Sequence, residues 1–306
     1  MGKIQKIAVV GSGAIGCYYG ARLARREDVS FLMRRDLDAV RAGGLHIESV
    51  DGNFVLDPVS ACATTSEIGP VDLVVIALKA TSNHILPDLL PPLLTKGTAL
   101  LTLQNGLGNE EFLQAHFPDH AILGGLCYVC INRGDPGQVH HLAAGKIKLG
   151  GHGETKRAEE VVELFQGAGI HCQYLPDLGL ARWRKLIWNV PFNGLSIAAG
   201  GLDTRKILAD PRLVDRTRRL MHEIIDAARA QDFVIDPTFA ESNIETTRGM
   251  GPYRPSSLID FDKGSTVEVE AIWGEPLRRA RELGVDTPEL ARLYDEICTA
   301  IENRAS

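Results

Sequence analysis

The sequence contains no apolar run approaching the length of a membrane span, no block of consecutive basic residues, and no internal repeat or low-complexity tract. The first absence excludes a transmembrane helix. The second, with a formal net charge of −6, leaves no electrostatic footprint for a nucleic-acid partner. Cysteine is sparse: Cys17, Cys62, Cys127, Cys130, Cys172 and Cys298 are scattered and read as reduced thiols of a cytoplasmic protein. The CYVC stretch at 127–130 has redox spacing, but it stands in apolar surroundings without a second pair, which points to buried strand residues. The start MGKIQKIAVVGSG lacks the apolar region of a signal peptide, and Lys6 stands where a myristoylation signal wants Ser or Thr. No metal site is expected.

What is present favours two domains, because 306 residues exceed the size at which single cores usually stop growing. KIAVV, 6–10, has the β-branched, apolar pattern of a strand buried on both faces. Gly11, Ser12, Gly13, Ala14, Ile15 and Gly16 follow it in G-x-G-x-x-G spacing, and a helical pattern comes next. In that setting the first glycine permits a tight turn, the second lets backbone approach a pyrophosphate, and the third packs helix on strand. The alternative is a plain glycine-rich turn. HIESVDGNFVLDPV reads as a hairpin about Asp51-Gly52. DLVVIALK, 72–79, and TALLTLQNG, 98–106, read as buried parallel strands. AILGGLCYVC and KIKLGG extend the sheet, while AEEVVELFQGAG and IHCQYL add a helix and a strand. Ligands bind beyond the carboxyl ends of such strands, which directs Lys79 and Asn105 toward a cofactor crevice.

The strand DVSFLMRRD should end at the adenosine ribose. NAD binders usually carry an acid there, whereas NADP binders offer a cation to the 2′-phosphate. Arg34 and Arg35 suit a phosphate by charge and geometry and favour NADPH; Asp36, one place later, keeps NAD open.

After Pro176-Asp177 the pattern becomes almost wholly helical, so the expected division is an NADP-binding domain at 1–175 and a helical substrate domain at 176–306. The fold class expected is α/β: an N-terminal Rossmann-type doubly wound sheet followed by an all-helical C-terminal domain. In RWRKLIWNVPFN, 182–193, Lys185, Asn189 and Asn193 share one helical face between Trp183, Trp188 and Phe192. Such a line is either a solvated stripe or one wall of a site between domains. Pro191 removes a helical hydrogen bond and can kink the helix between the two amides. TVEVEAIWG, 266–274, reads as an ordinary helix start with acids in its first turn.

Seven pieces then match one family in order and spacing: GSGAIG at 11–16, Arg34, LKA at 78–80, QNG at 104–106, PGQVHHLAAGKIKLG at 136–150, WRKLIWNVPFNGLS at 183–196 and PSSLIDFDKGSTVEVEAIWG at 255–274. Over essentially its full length the chain resembles ketopantoate reductase (2-dehydropantoate 2-reductase). The resemblance implies NADPH as cofactor and a small 2-oxo acid as substrate, in a step toward pantothenate and coenzyme A. It implies Lys185 as proton donor, with Asn189 and Asn193 on the substrate and Asn105 on both ligands. It also implies Ser256 at the substrate carboxylate, Glu268 as an acid contacting both ligands, and Lys79 near the nicotinamide. Family members often pair as homodimers, a state the residues themselves do not encode.

The chemistry suits these residue types. Hydride transfer to a ketone carbon leaves negative charge on oxygen, which an ammonium stabilises and quenches with a proton. Amides and a hydroxyl bind a carboxylate without competing as acids. Gly194-Leu195-Ser196-Ile197 and Ser265-Thr266-Val267 depart from the usual family pattern around the substrate, which leaves the exact 2-oxo acid open. Two other readings stand beside this one: a β-hydroxyacid or 6-phosphogluconate-type dehydrogenase, for which Arg182 and Arg184 would be the phosphate candidates, and a non-catalytic dinucleotide sensor.

Overall fold

Strand β1 (Lys6–Val10) alternates its side chains between two cores, as the twofold period of a strand requires. Ile7 and Val9 face a cluster with Phe31, Leu45 and Phe165, while Ala8 and Val10 face another with Val74, Ile76, Leu100 and Leu113. A strand apolar on both sides can sit only in the middle of a covered sheet, and β1 does. It pairs in parallel with β2 (Asp28–Leu32) on one side and β6 (Leu73–Ile76) on the other. These elements come from a computed structural model that describes residues 3–153 and 156–305.

The remaining strands are β3 (Leu45–Ser49), β4 (Phe54–Leu56), β5 (Ser60–Cys62), β7 (Ala99–Thr102), β8 (Ala121–Arg133), β9 (Gln138–Gly151) and β10 (Cys172–Tyr174). The sheet order is β4-β3-β9-β8-β7-β6-β1-β2-β5, with β10 paired to β9. The connection out of β1 runs to one side and the next to the other, so the switch point of a doubly wound sheet falls between β1 and β6. The Asp51-Gly52 hairpin forms as expected: β3 and β4 are antiparallel, and Gly52 turns the chain at φ +109°. β8 and β9 form a long antiparallel pair, irregular at Tyr128/Val129 and Cys130/Ile131. Cys127 is buried within it and Cys130 half-buried. All six cysteines are free thiols, and burial pushes those of Cys17 and Cys172 up to about 12, far from reactive thiolates.

The chain divides into two compact units, Met1–Gln104 with Asn109–Leu178, and Asn105–Gly108 with Gly179–Ser306. The second is helical, built chiefly from Leu178–Ala198, Pro211–Arg229, Thr238–Met250, Ser256–Asp262, Glu275–Glu282 and Pro288–Ala305. Its core gathers Trp183, Phe192, Ile224, Trp273 and Leu293. Pro211–Arg229 starts with proline at its first position and Asp210 as cap, accepting from Arg212 N at 2.8 Å. Glu223 of that helix accepts from the Glu289 and Leu290 amides at 2.9 and 2.8 Å, capping the last helix from outside. Among the described residues no helix is long and apolar enough to cross a membrane.

A helix does start within 266–274, as expected, but its first turn is not an ordinary α-helical one. Glu270–Gly274 forms a π-helical turn. The Ala271 carbonyl is taken by the Leu107 amide at 2.9 Å, a competing donor of the kind that accompanies local widening of a helical ladder.

Candidate active site

In the sheet unit, helix α1 (Ala14–Leu23) starts where the glycine-rich turn ends. Gly11 has φ +106°, and a Cβ there would lie 2.3 Å from Leu78 N; on Gly16 it would lie 2.2 Å from the Gly11 carbonyl. Gly13 has nothing within 4 Å. Two glycines therefore close the turn against protein, and the third leaves its outer face open. Ser12 ties the turn to the neighbouring strand by donating its hydroxyl to the Leu32 carbonyl at 2.7 Å. An uncapped helix N-terminus with free amides beside an open glycine fits a pyrophosphate.

Beyond β2, Arg34 and Arg35 are exposed and Asp36 is buried. Asp36 is not the open acid that the sequence suggests, because it pairs with Arg133. Lys79, half-buried, occupies the cap position of the short 3-10 turn Ala80–Ile85. A polar relay anchors the end of β7. Thr102 donates to Gln104 Oε1 (2.9 Å), Gln104 Nε2 to Asn83 Oδ1 (2.7 Å), and Asn83 Nδ2 to Asn109 Oδ1 (2.9 Å). It fixes the residue immediately before Asn105.

In the helical unit, Leu178–Ala198 carries the polar line. Lys185 Nζ donates to Asn105 Oδ1 at 2.9 Å. One turn on, Asn189 is buried to 8% exposure, yet among the described residues its amide makes no hydrogen bond. Another turn on, Asn193 is 2% exposed and its Oδ1 accepts from Ser257 N at 3.0 Å and the Ser256 hydroxyl at 3.5 Å.

The helix is braced around Pro191. Trp273, on the π turn, donates its indole N–H to the Val190 carbonyl at 2.9 Å. Gly194 makes room for that ring, since a Cβ there would stand 2.9 Å from Trp273 Nε1 and 2.6 Å from Leu293 Cδ2. The same π turn seats Asn105. Gly106, at φ +86°, lies so close that a Cβ would meet the Ala271 carbonyl at 2.2 Å, and glycine at this turn is obligatory. Glu268 is half-buried just ahead of the π turn. The structure thus joins Lys185 to Asn105 and Asn193 to Ser256.

Residues 7–154 match the family model described as ketopantoate reductase PanE/ApbA, and residues 177–300 match that of its C-terminal portion. The chain belongs to the ketopantoate reductase family. A 2-dehydropantoate 2-reductase of Nostoc sp. is 41% identical, covering 96% of this chain and 94% of its own. The crystal structure of 2-dehydropantoate 2-reductase from Geobacter metallireducens superposes with a TM-score of 0.92 at 42% identity, over 96% of this chain and 99% of that one. The corresponding enzyme from Methylococcus capsulatus gives 0.90 at 32% identity, over 98% of both. Membership in the ketopantoate reductase family makes the chain one of an oxidoreductase family and accounts for the order of the seven sequence pieces. Sequence reading passed over the contacts of Arg133, Asn83, Ser257 and Trp273. Each acts on a partner remote in sequence, and only the Trp-Gly ending of the 255–274 segment carried any signal of one.

Proposed function

We propose that the protein reduces 2-dehydropantoate to pantoate with NADPH, in the cytoplasm, as a step toward pantothenate and coenzyme A. The observation that carries this reading is the Lys185–Asn105 hydrogen bond, one helical turn from Asn189, whose amide makes no hydrogen bond among the described residues. NADPH, when bound, supplies the hydride that the ketone carbon gains. Lys185 supplies the proton to the ketone oxygen, and its ammonium stabilises the charge that accumulates there before transfer. Asn105 aims that ammonium. Asn189 and Asn193 bind the substrate, Ser256 binds its carboxylate, and Glu268 orients Lys185 and contacts both ligands. Gly11 to Gly16, Arg34 and Lys79 hold the cofactor: free amides at the pyrophosphate, guanidinium at the 2′-phosphate, ammonium near the nicotinamide.

A phosphorylated substrate is less well supported. Arg182 is 4% exposed, and the Arg184 guanidinium lies 5.9 Å over the Phe239 ring. The test is NADPH oxidation against a panel of 2-oxo acids that includes 2-dehydropantoate. The expected result is a kcat/KM for 2-dehydropantoate well above the rest. Equal rates across the panel would remove the substrate assignment, and no oxidation with any member would remove the enzyme reading.

A further inference from the structure

Asp36 occupies the place where an NAD-binding protein presents an acid to the adenosine ribose, and where an acid repels the 2′-phosphate of NADPH. It is also the residue before helix α2 (Leu37–Gly43), where an aspartate normally caps the first amides. It does neither in the ordinary way. Its side chain makes no cap hydrogen bond, and the residue is 7% exposed. Oδ2 accepts from Arg133 Nη2 and, at 3.4 Å, from the Gly137 amide. Oδ1 is buried without a hydrogen bond, with Arg35 Nε at 3.5 Å. The carboxylate faces into the protein, and neither oxygen is presented to a ribose.

Arg133 is the last residue of β8, 97 residues from its partner. Its side chain is 29% exposed. Beside the pair, Arg34 is exposed and has no side-chain partner among the described residues. Pairing therefore converts a segment of two cations and one anion into one whose anion is neutralised and turned away.

We infer that Arg133 is a positioning residue for cofactor selection: by pinning and neutralising Asp36 it withdraws the acceptor that NADH would use and the charge that would oppose the NADPH 2′-phosphate. The inference rests on the nicotinamide-cofactor reading above and adds to Arg34 a second determinant that acts without touching the nucleotide.

The experiment measures dissociation constants of NADPH and NADH, from the fluorescence of the bound nucleotides. It uses wild type, Arg133→Met, Arg133→Lys and the double variant Arg133→Met/Asp36→Asn, with thermal unfolding as a check on each. Arg133→Met is expected to lower the ratio of the NADH to the NADPH constant about tenfold, roughly 1.4 kcal/mol. Arg133→Lys keeps the charge and should hold the ratio within about threefold of wild type. The double variant removes the freed acid and should restore the ratio to the same margin.

An unchanged ratio in Arg133→Met overturns the inference. So does a ratio that stays low in the double variant, since Arg133 would then act on the phosphate directly. Should Arg133→Met fail to fold, Arg133→Gln takes its place with the same expected fall, and an unchanged ratio there overturns the inference as it would in Arg133→Met. A wild-type protein that binds neither nucleotide overturns the cofactor reading itself.

Discussion

The Lys185 ammonium donates to the side-chain oxygen of Asn105 at 2.9 Å, across 80 residues of sequence. An amide oxygen orients an ammonium without adding a charge, so proton donation and positioning can be separated by substitution. Asn105→Asp places a carboxylate at the same point and favours the charged lysine. If Lys185 donates the proton in ketone reduction, as proposed, activity falls as the lysine deprotonates. The basic limb of the kcat profile should therefore move to higher pH in Asn105→Asp, while Asn105→Ala lowers kcat without such a move. A basic limb that ignores the new carboxylate would detach Lys185 from the chemistry.

Removal of the ammonium itself gives the largest expected loss. Lys185→Ala should reduce kcat about a hundredfold or more, with the NADPH dissociation constant within about threefold of wild type. Stopped-flow turnover and nucleotide titration on the same preparation check both halves.

The glycine-rich turn separates stability from binding. Gly11→Ala forces a side chain onto the Leu78 backbone at positive φ and should destabilise the fold by more than about 1 kcal/mol. Gly13→Ala meets nothing within 4 Å, so the fold should hold or gain up to about 1 kcal/mol. Affinity for NADPH should nevertheless fall about tenfold or more, roughly 1.4 kcal/mol. Urea unfolding and nucleotide titration of the two variants should thus diverge; parallel behaviour would place the pyrophosphate elsewhere.

The Trp273 brace should be felt as stability. Trp273→Phe leaves the Val190 carbonyl without its indole donor, at a cost of about 1–3 kcal/mol. Gly194→Ala overpacks the same contact by a similar amount. Both are read from urea midpoints.

Asp72 supplies a pH-dependent contribution. Burial pushes its carboxyl up, but the Lys6 and Gln5 amides that it accepts, each at 2.9 Å, together with the Arg157 and Lys6 charges outweigh burial and hold it below the usual aspartate range. The folded value lies below the unfolded one, so the stabilisation is present above the unfolded value, about pH 4, and is lost as pH falls through the folded value. At neutral pH Asp72→Asn should cost about 1 kcal/mol, discounted for partial exposure. The wild-type and variant unfolding midpoints should converge in acid; a constant gap would deny the carboxylate its role.

Local pattern made much of this molecule legible. The strand, glycine turn and helix at 6–23 formed where spacing put them, and Asp51-Gly52 turned the hairpin. The polar line of Leu178–Ala198 was readable because helical period is a property of neighbouring residues. What escaped depends on partners far along the chain. The widening at Glu270–Gly274 accompanies an amide from Leu107, and no residue within 266–274 encodes it. Asp36 looked available to a ribose because its arginine comes from the far end of β8. The Asn83–Gln104–Asn109 relay joins three separate segments, and nothing periodic links them.

The inclusion of Asn105–Gly108 in the helical unit bears on how the chain can be cut. A fragment starting at Gly179 would lack the amide that fills the Ala271 carbonyl and the oxygen that receives the Lys185 ammonium. It would be a bundle with an empty socket, so the two halves are not independently transferable modules. A graft of the helical half onto another nucleotide-binding scaffold must carry the four-residue Asn-Gly-Leu-Gly peptide along with it.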